Sequence, residues 1–356
     1  MFVVFRALAS AGSAAFGVLS PVIMADLFQD RALGVSLMCL SVAELLSSLF
    51  PDIVSSWIVA SQLPWQSGLI ICYGMGIVPL LYLLCAKKHI RNVEKKAKGL
   101  SSIVSGAFGF FYIKSLLLMT FSETFIMFHK KAYIFWFPSM NLIAWTNYPD
   151  LFFGLSYTTV TAMKSFTMLI GTLIGIPVMM WIGQNWRFRT GPFAGGKEYL
   201  NAYTIVTSSG AALSCVAFIA SIILADQSFI WSLVSTFLTG FGSAAIACLG
   251  QQMMLMVIPS NSRAAGFALS RLTIGLFTIP SAQIVGMVSD AFRGDSTLPY
   301  DRFHAYQLGL LCSSSFLVAG SICSVAVLFF FRSDCKRAED NEKGDCHEVD
   351  EKSSLI

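Results

Sequence analysis

The sequence predicts an all-α integral membrane protein, a helical bundle of about nine transmembrane helices. Three observations carry this. Of 356 residues, 55% are hydrophobic and only 12% charged, with a mean hydropathy of +0.69; a soluble domain carries about twice that charged share. The apolar residues gather in runs of about 20, long enough to cross the hydrocarbon core. Pro21, Pro51, Pro79, Pro177 and Pro280 lie inside these runs, where membrane helices tolerate proline because neighbouring groups satisfy the freed backbone.

The first run, Val4–Phe28, is closed by Asp30 and Arg31, and the second is Leu33–Ala60. The third, Ser67–Cys85, stops at Lys87 and Lys88. Tyr112–Pro138 ends at its proline, and Gly154–Ile182 ends before Arg187. Tyr203–Ala225 and Phe229–Ile258 are parted by Asp226, and Ala264–Val288 follows Arg263. Tyr306–Phe331 stops at Arg332.

Basic residues occupy alternate connections. One set holds Arg31; Lys87, Lys88, Arg91, Lys95, Lys96 and Lys98; Arg187, Arg189 and Lys197; Arg263; and Arg332, Lys336 and Arg337. The other holds little beyond Arg293 and Arg302. The positive-inside rule assigns the first set, and with it the C-terminus, to the cytoplasm. Residues 1–86 then form an N-terminal half with about three spans, 87–101 a basic cytoplasmic central loop, 102–332 a C-terminal half with about six spans, and 333–356 a disordered cytoplasmic tail. About three spans before the loop and about six after it suggest a twelve-helix architecture lacking its first three helices.

The composition argues against several functions. No basic stretch with interleaved aromatics points to nucleic acid. The four histidines are dispersed without an H-E-x-x-H spacing, and no G-x-S-x-G elbow or P-loop occurs, so we expect no enzyme. The nine cysteines form no C-x-x-C pair, so no metal site or cofactor is expected. Cys335, just past the last run, is a candidate for palmitoylation.

The ordered set Arg6-Ala7-Leu8, Gly12, Pro21 and Ala25-Asp26-Leu27-Phe28 before Arg31 resembles the fourth helix of the spinster-like branch of the major facilitator superfamily. Trp65, Leu69, Gly74 and Gly76 resemble its sixth; Trp136 and Pro138 its seventh; Phe153-Gly154, Gly171 and Gly175 its eighth. Val257-Ile258-Pro259, Arg263, Ala268-Leu269, Ser281, Gly286 and Ser289-Asp290 resemble its tenth-to-eleventh region. The resemblance implies a major-facilitator-type bundle equivalent to helices four to twelve, a lysolipid or sphingolipid substrate, and alternating access between two halves. Ser13 and Thr278 stand where that branch carries Glu and Asp.

Charges inside a membrane cost roughly 2.5–3.5 kcal/mol each on insertion scales and mark cavities or pairs. Here they are Arg6, Glu44, Glu123, Lys130, Lys131, Lys164 and Arg271, with His129 beside them. On the family's numbering of helices they fall on those that line its central cavity. Lys130 and Lys164 share a depth if the fourth run ends at Pro138. We therefore expect a basic pocket of Lys130, Lys164 and Arg6 for a phosphate or carboxylate, with Glu44 and Glu123 as partners of these cations. Lys130 and Lys131 also suit snorkelling toward the interface. Arg271 also suits pairing with backbone carbonyls or a lipid phosphate. Gly171 and Gly175 suit close helix approach.

The chain ends on Glu351, Leu355 and Ile356 in an E-x-x-x-L-I pattern. It resembles the acidic dileucine signal that clathrin adaptor complexes read, which implies residence in the late endosome or lysosome membrane, with the plasma membrane as the alternative. Two further readings stand beside the lipid carrier: a major-facilitator carrier of another organic anion, and a truncated form that does not transport.

Overall fold

The structure, a computed structural model, describes residues 16–61, scattered positions between 64 and 74, and residues 110–353 except 261 and 297, with the side chains of 47–60 and 342–353 set aside. Arg6, most of the span Ser67–Cys85, the basic loop 87–101, Leu355, Ile356 and the side chain of Glu351 fall outside it.

The described residues are helical, and none forms a strand. In chain order the helices are α1 (Phe16–Leu27), α2 (Asp30–Ala60), α3 (Lys114–Asn147), α4 (Tyr157–Arg187), α5 (Ala202–Ile223), α6 (Phe229–Val257), α7 (Arg263–Arg293) and α8 (Pro299–Ser353). Five of these segments, α4 to α8, are long and apolar enough to cross a membrane. The molecule is an all-α membrane bundle.

Local chemistry sets the helix ends. Ser156 caps α4 by accepting from the Thr159 N–H at 3.2 Å, and Ser228 caps α6 by accepting from the Trp231 N–H at 3.5 Å; each satisfies one of the donors orphaned at a helix start. Pro280 has no N–H to donate and divides α7 into Arg263–Thr278 and Ser281–Arg293. A π-helical turn, Ile246–Gly250, interrupts α6.

The packing is that of a protein in oil. Phe329 (80% exposed), Met287 (72%) and Val216 (67%) face outward, while Ser115, Thr204, Ser221 and Ser270 are buried at 0%. α4 and α6 meet closely: a Cβ on Gly171 would lie 2.2 Å from the Phe237 carbonyl oxygen, and one on Gly240 would lie 2.1 Å from that of Met168. With little hydrophobic drive between helices in lipid, such close approach is how they gain contact, as the glycine spacing led us to expect.

Three expectations need correction. The helix with Pro138 does not end there but runs to Asn147. Loss of one backbone bond is tolerated inside a bundle, and the Pro138 carbonyl takes a hydrogen bond from Tyr157 Oη at 3.0 Å. The tail expected to lack structure continues as helix to Ser353, through Lys, Glu and Ala residues that favour helix. Its first turns pack inward, with Cys335 only 2% exposed. That burial removes Cys335 as a site for an acyl transferase.

Candidate functional site

α3 is the polar centre of the bundle. Among its residues Ser115, Thr120, Ser122, Glu123, Thr124, His129 and Asn141 are buried, and it packs against α7 and α8. Glu123, 7% exposed, accepts at Oε1 from Arg271 Nη1 on α7 at 2.6 Å. A hydroxyl pair, Thr120 Oγ1 and Ser270 Oγ at 2.9 Å, joins the same two helices about one turn away. The Arg271 guanidinium also lies 5.0 Å from the centre of the Phe267 ring. Glu44, half-buried on α2, is within electrostatic reach of both Arg271 and Glu123. Charges from α2, α3 and α7 thus converge. Removing one partner of such a buried pair costs about 3–5 kcal/mol, because the other charge is stranded.

Other charges of α3 are engaged separately. Lys130, half-buried, is within electrostatic reach of Glu123, two helical turns away on the same face. Lys131 donates to Thr278 Oγ1 on α7 at 2.8 Å. His129, fully buried, has Nδ1 2.8 Å from Ser313 Oγ on α8. The Ser313 proton goes to the Leu310 carbonyl at 2.7 Å, so the hydrogen-bond network assigns the ring proton to Nδ1.

The expected basic pocket does not assemble. Lys164 on α4, 4% exposed, donates to Asn141 Oδ1 at 2.7 Å and lies 4.6 Å from the Phe137 ring centre. Asn141 lies about 16 Å up α3 from Lys130 at 1.5 Å per residue. The depth estimate misled because it ended α3 at Pro138. In place of the lysine pair stands a centre in which Arg271 is the partner of Glu123. Arg271, expected to pair with backbone carbonyls or a lipid phosphate, pairs instead with Glu123, the carboxylate expected to serve Lys130, Lys164 and Arg6. Asn141, Thr120 and Ser270 were not among the expected site residues, since their only signal in the sequence is an amide or hydroxyl within an apolar run.

A second set of contacts closes the basic end of the bundle. Arg31, which opens α2, donates to Thr190 Oγ1 at 2.8 Å and stacks over Phe188 at 5.0 Å. Asp26, at the end of α1, accepts from Arg263 Nη1 at the start of α7 at 3.4 Å. Arg187 pairs with Glu198 at 2.7 Å and lies 5.2 Å from the Tyr203 ring centre; Gln252 donates to Tyr203 Oη at 3.1 Å. Asp334 on α8 accepts the Ser115 N–H at 2.8 Å, capping α3 from another helix.

No family model matches the chain, and no curated protein matches it.

Proposed function

We propose that the protein carries an amphipathic lipid, a lysolipid or sphingolipid, across a membrane by alternating access between two halves, as a spinster-like member of the major facilitator superfamily. One observation supports this above the others: Glu123 and Arg271 form an ion pair inside an apolar bundle, with Glu44 of the N-terminal segment in electrostatic reach. Helices that only fill space in oil shed ionised side chains; those that keep them face a wet interior or a substrate. A guanidinium beside two carboxylates offers partners for both the phosphate and the ammonium of a lipid headgroup. The contacts Asp26–Arg263 and Arg31–Thr190 tie the N-terminal segment to the C-terminal one at the basic end. They suit a state closed on that side.

The experiment is uptake of a labelled lysophospholipid and a labelled sphingoid phosphate into vesicles containing the purified chain. The proposal expects uptake of at least one above protein-free vesicles. Uptake of neither, by protein that unfolds cooperatively in a melting scan, would overturn it. For location, the E-x-x-x-L-I terminus supports adaptor-mediated delivery to the late endosome or lysosome.

A further inference from the structure

A groove of about 420 Å³ runs between α5 and α8 on the outer face of the bundle. Ala212 and Cys215 of α5, with Ser321 and Ala326 of α8, keep it open, and Ile322 and Phe329 of α8 stand along it. Ile322 is 65% exposed and Phe329 80%. The Ser321 hydroxyl donates to the Ala211 carbonyl at 3.3 Å, so its proton is already placed. The groove is therefore apolar and opens onto the acyl region of the membrane.

Its length is that of one leaflet. From Val318 to Phe329, both on its wall, α8 rises about 16 Å at 1.5 Å per residue. The hydrocarbon core is about 30 Å thick, so an acyl chain reaches about 15 Å from headgroup to midplane. Phe329 marks the headgroup end, because Arg332 closes the apolar run one turn later.

The same stripe of α8 then becomes basic. Val318, Ile322, Val325 and Phe329 follow the spacing of one helix face, and that spacing continues to Arg332 and Lys336. Both are exposed, and among the described residues neither joins an ion pair. Asp334 lies between them in the chain but is turned inward to the Ser115 N–H. Glu339 and Asp340 come about a turn further from the membrane. Lys336 stands about 6 Å beyond Arg332 along the helix, and a headgroup layer is about 5–7 Å deep. A phosphate at the mouth of the groove meets Arg332, whose planar fork matches phosphate oxygens. An acidic group further out meets Lys336.

We propose that the α5–α8 groove holds one acyl chain of an anionic glycerophospholipid of the bilayer, with its phosphate and acidic headgroup against Arg332 and Lys336. The basic connections assign this end of α8 to the cytoplasm, and the cytoplasmic leaflet carries the anionic lipids. A zwitterionic lipid fills the groove equally well but gives Lys336 no acidic partner. The site rests on the membrane bundle and not on the lipid-carrier reading, since this lipid stays bound and none is moved.

The test is native mass spectrometry of the purified full chain in detergent, with equal amounts of palmitoyl-oleoyl phosphatidylserine and the matching phosphatidylcholine. One phosphatidylserine should be retained about fivefold more often than phosphatidylcholine, the preference that one added lipid charge gives beside a basic side chain. The double substitution Arg332→Gln and Lys336→Gln should bring the two lipids to equal retention. Ala212→Phe, at an exposed position on the groove, should fill it and lower retention of both several-fold. Either variant decides the matter if the other fails to fold. Equal retention of the two lipids by the unaltered chain overturns the proposal. So does a retention pattern unchanged in a variant that folds. A dimer that replaces the lipid-bound monomer and is lost in Ala212→Phe also overturns it, by giving the groove to a second copy.

Discussion

Arg271 Nη1 reaches Glu123 Oε1 at 2.6 Å across the α3–α7 interface, with the carboxylate side chain 9% and the guanidinium side chain 25% exposed. Both groups are largely withdrawn from solvent, the carboxylate more than the guanidinium. Arg271→Gln or Glu123→Gln alone should therefore destabilise the bundle by about 3–5 kcal/mol, and the double substitution by less than the worse single. Denaturation of the purified variants in detergent checks this. A double variant as unstable as the sum of the singles would show that the two groups act independently.

Asp334 should behave as a helix cap. Its Oδ2 accepts the Ser115 N–H at 2.8 Å in a buried setting, where both the hydrogen bond and the positive end of α3 favour a carboxylate. Asp334→Ala should lower stability by about 1 kcal/mol, a Tm loss of roughly 1–2 °C in a chain of this size. Asp334→Asn should keep part of it. Melting curves of the two variants, run side by side, check the order.

Asp26 and Arg263 hold α1 to α7 at 3.4 Å. If the basic end must open during a cycle, a cross-link there should stop it. The paired substitutions Asp26→Cys and Arg263→Cys, oxidised in vesicles, should abolish lysolipid uptake, and reductant should restore it. Uptake that survives full cross-linking would mean that this end does not separate.

Gly171 lies against the Phe237 backbone, where an added Cβ would be 2.2 Å from a carbonyl oxygen. Backbone cannot swing aside as a side-chain end can. Gly171→Val should part α4 from α6 and cut the yield of monodisperse protein several-fold, whereas Gly275→Ala, at a position with open space, should leave it unchanged. Size-exclusion profiles read both.

The helical class and most spans were legible because an apolar run of membrane length needs no tertiary information. α4 and α6 start within a few residues of the runs Gly154–Ile182 and Phe229–Ile258. Small residues were also legible as contact points, as Gly171 shows. The site was read only in part. Glu123 and Arg271 stood out as charges in oil, but their pairing depends on how α3 and α7 face each other, which periodicity does not fix. Lys164 was misassigned because a proline was taken as the end of α3; its partner Asn141 lies beyond Pro138. The extension of α8 past Phe331 was missed because the reading weighed apolar content there and not helix propensity, and because the cap that Asp334 gives to Ser115 joins residues far apart in the chain.

The most direct test of the central claim, that the interior charges serve a substrate and not only the fold, is lysolipid uptake by the Glu123→Gln/Arg271→Gln double variant. It removes both charges while retaining more stability than the worse single variant. The account predicts uptake reduced at least about tenfold, a loss of roughly 1.4 kcal/mol or more in transition-state stabilisation, with protein amount and melting behaviour retained. Uptake at the wild-type rate would contradict it, and would leave the Glu123–Arg271 pair as packing alone.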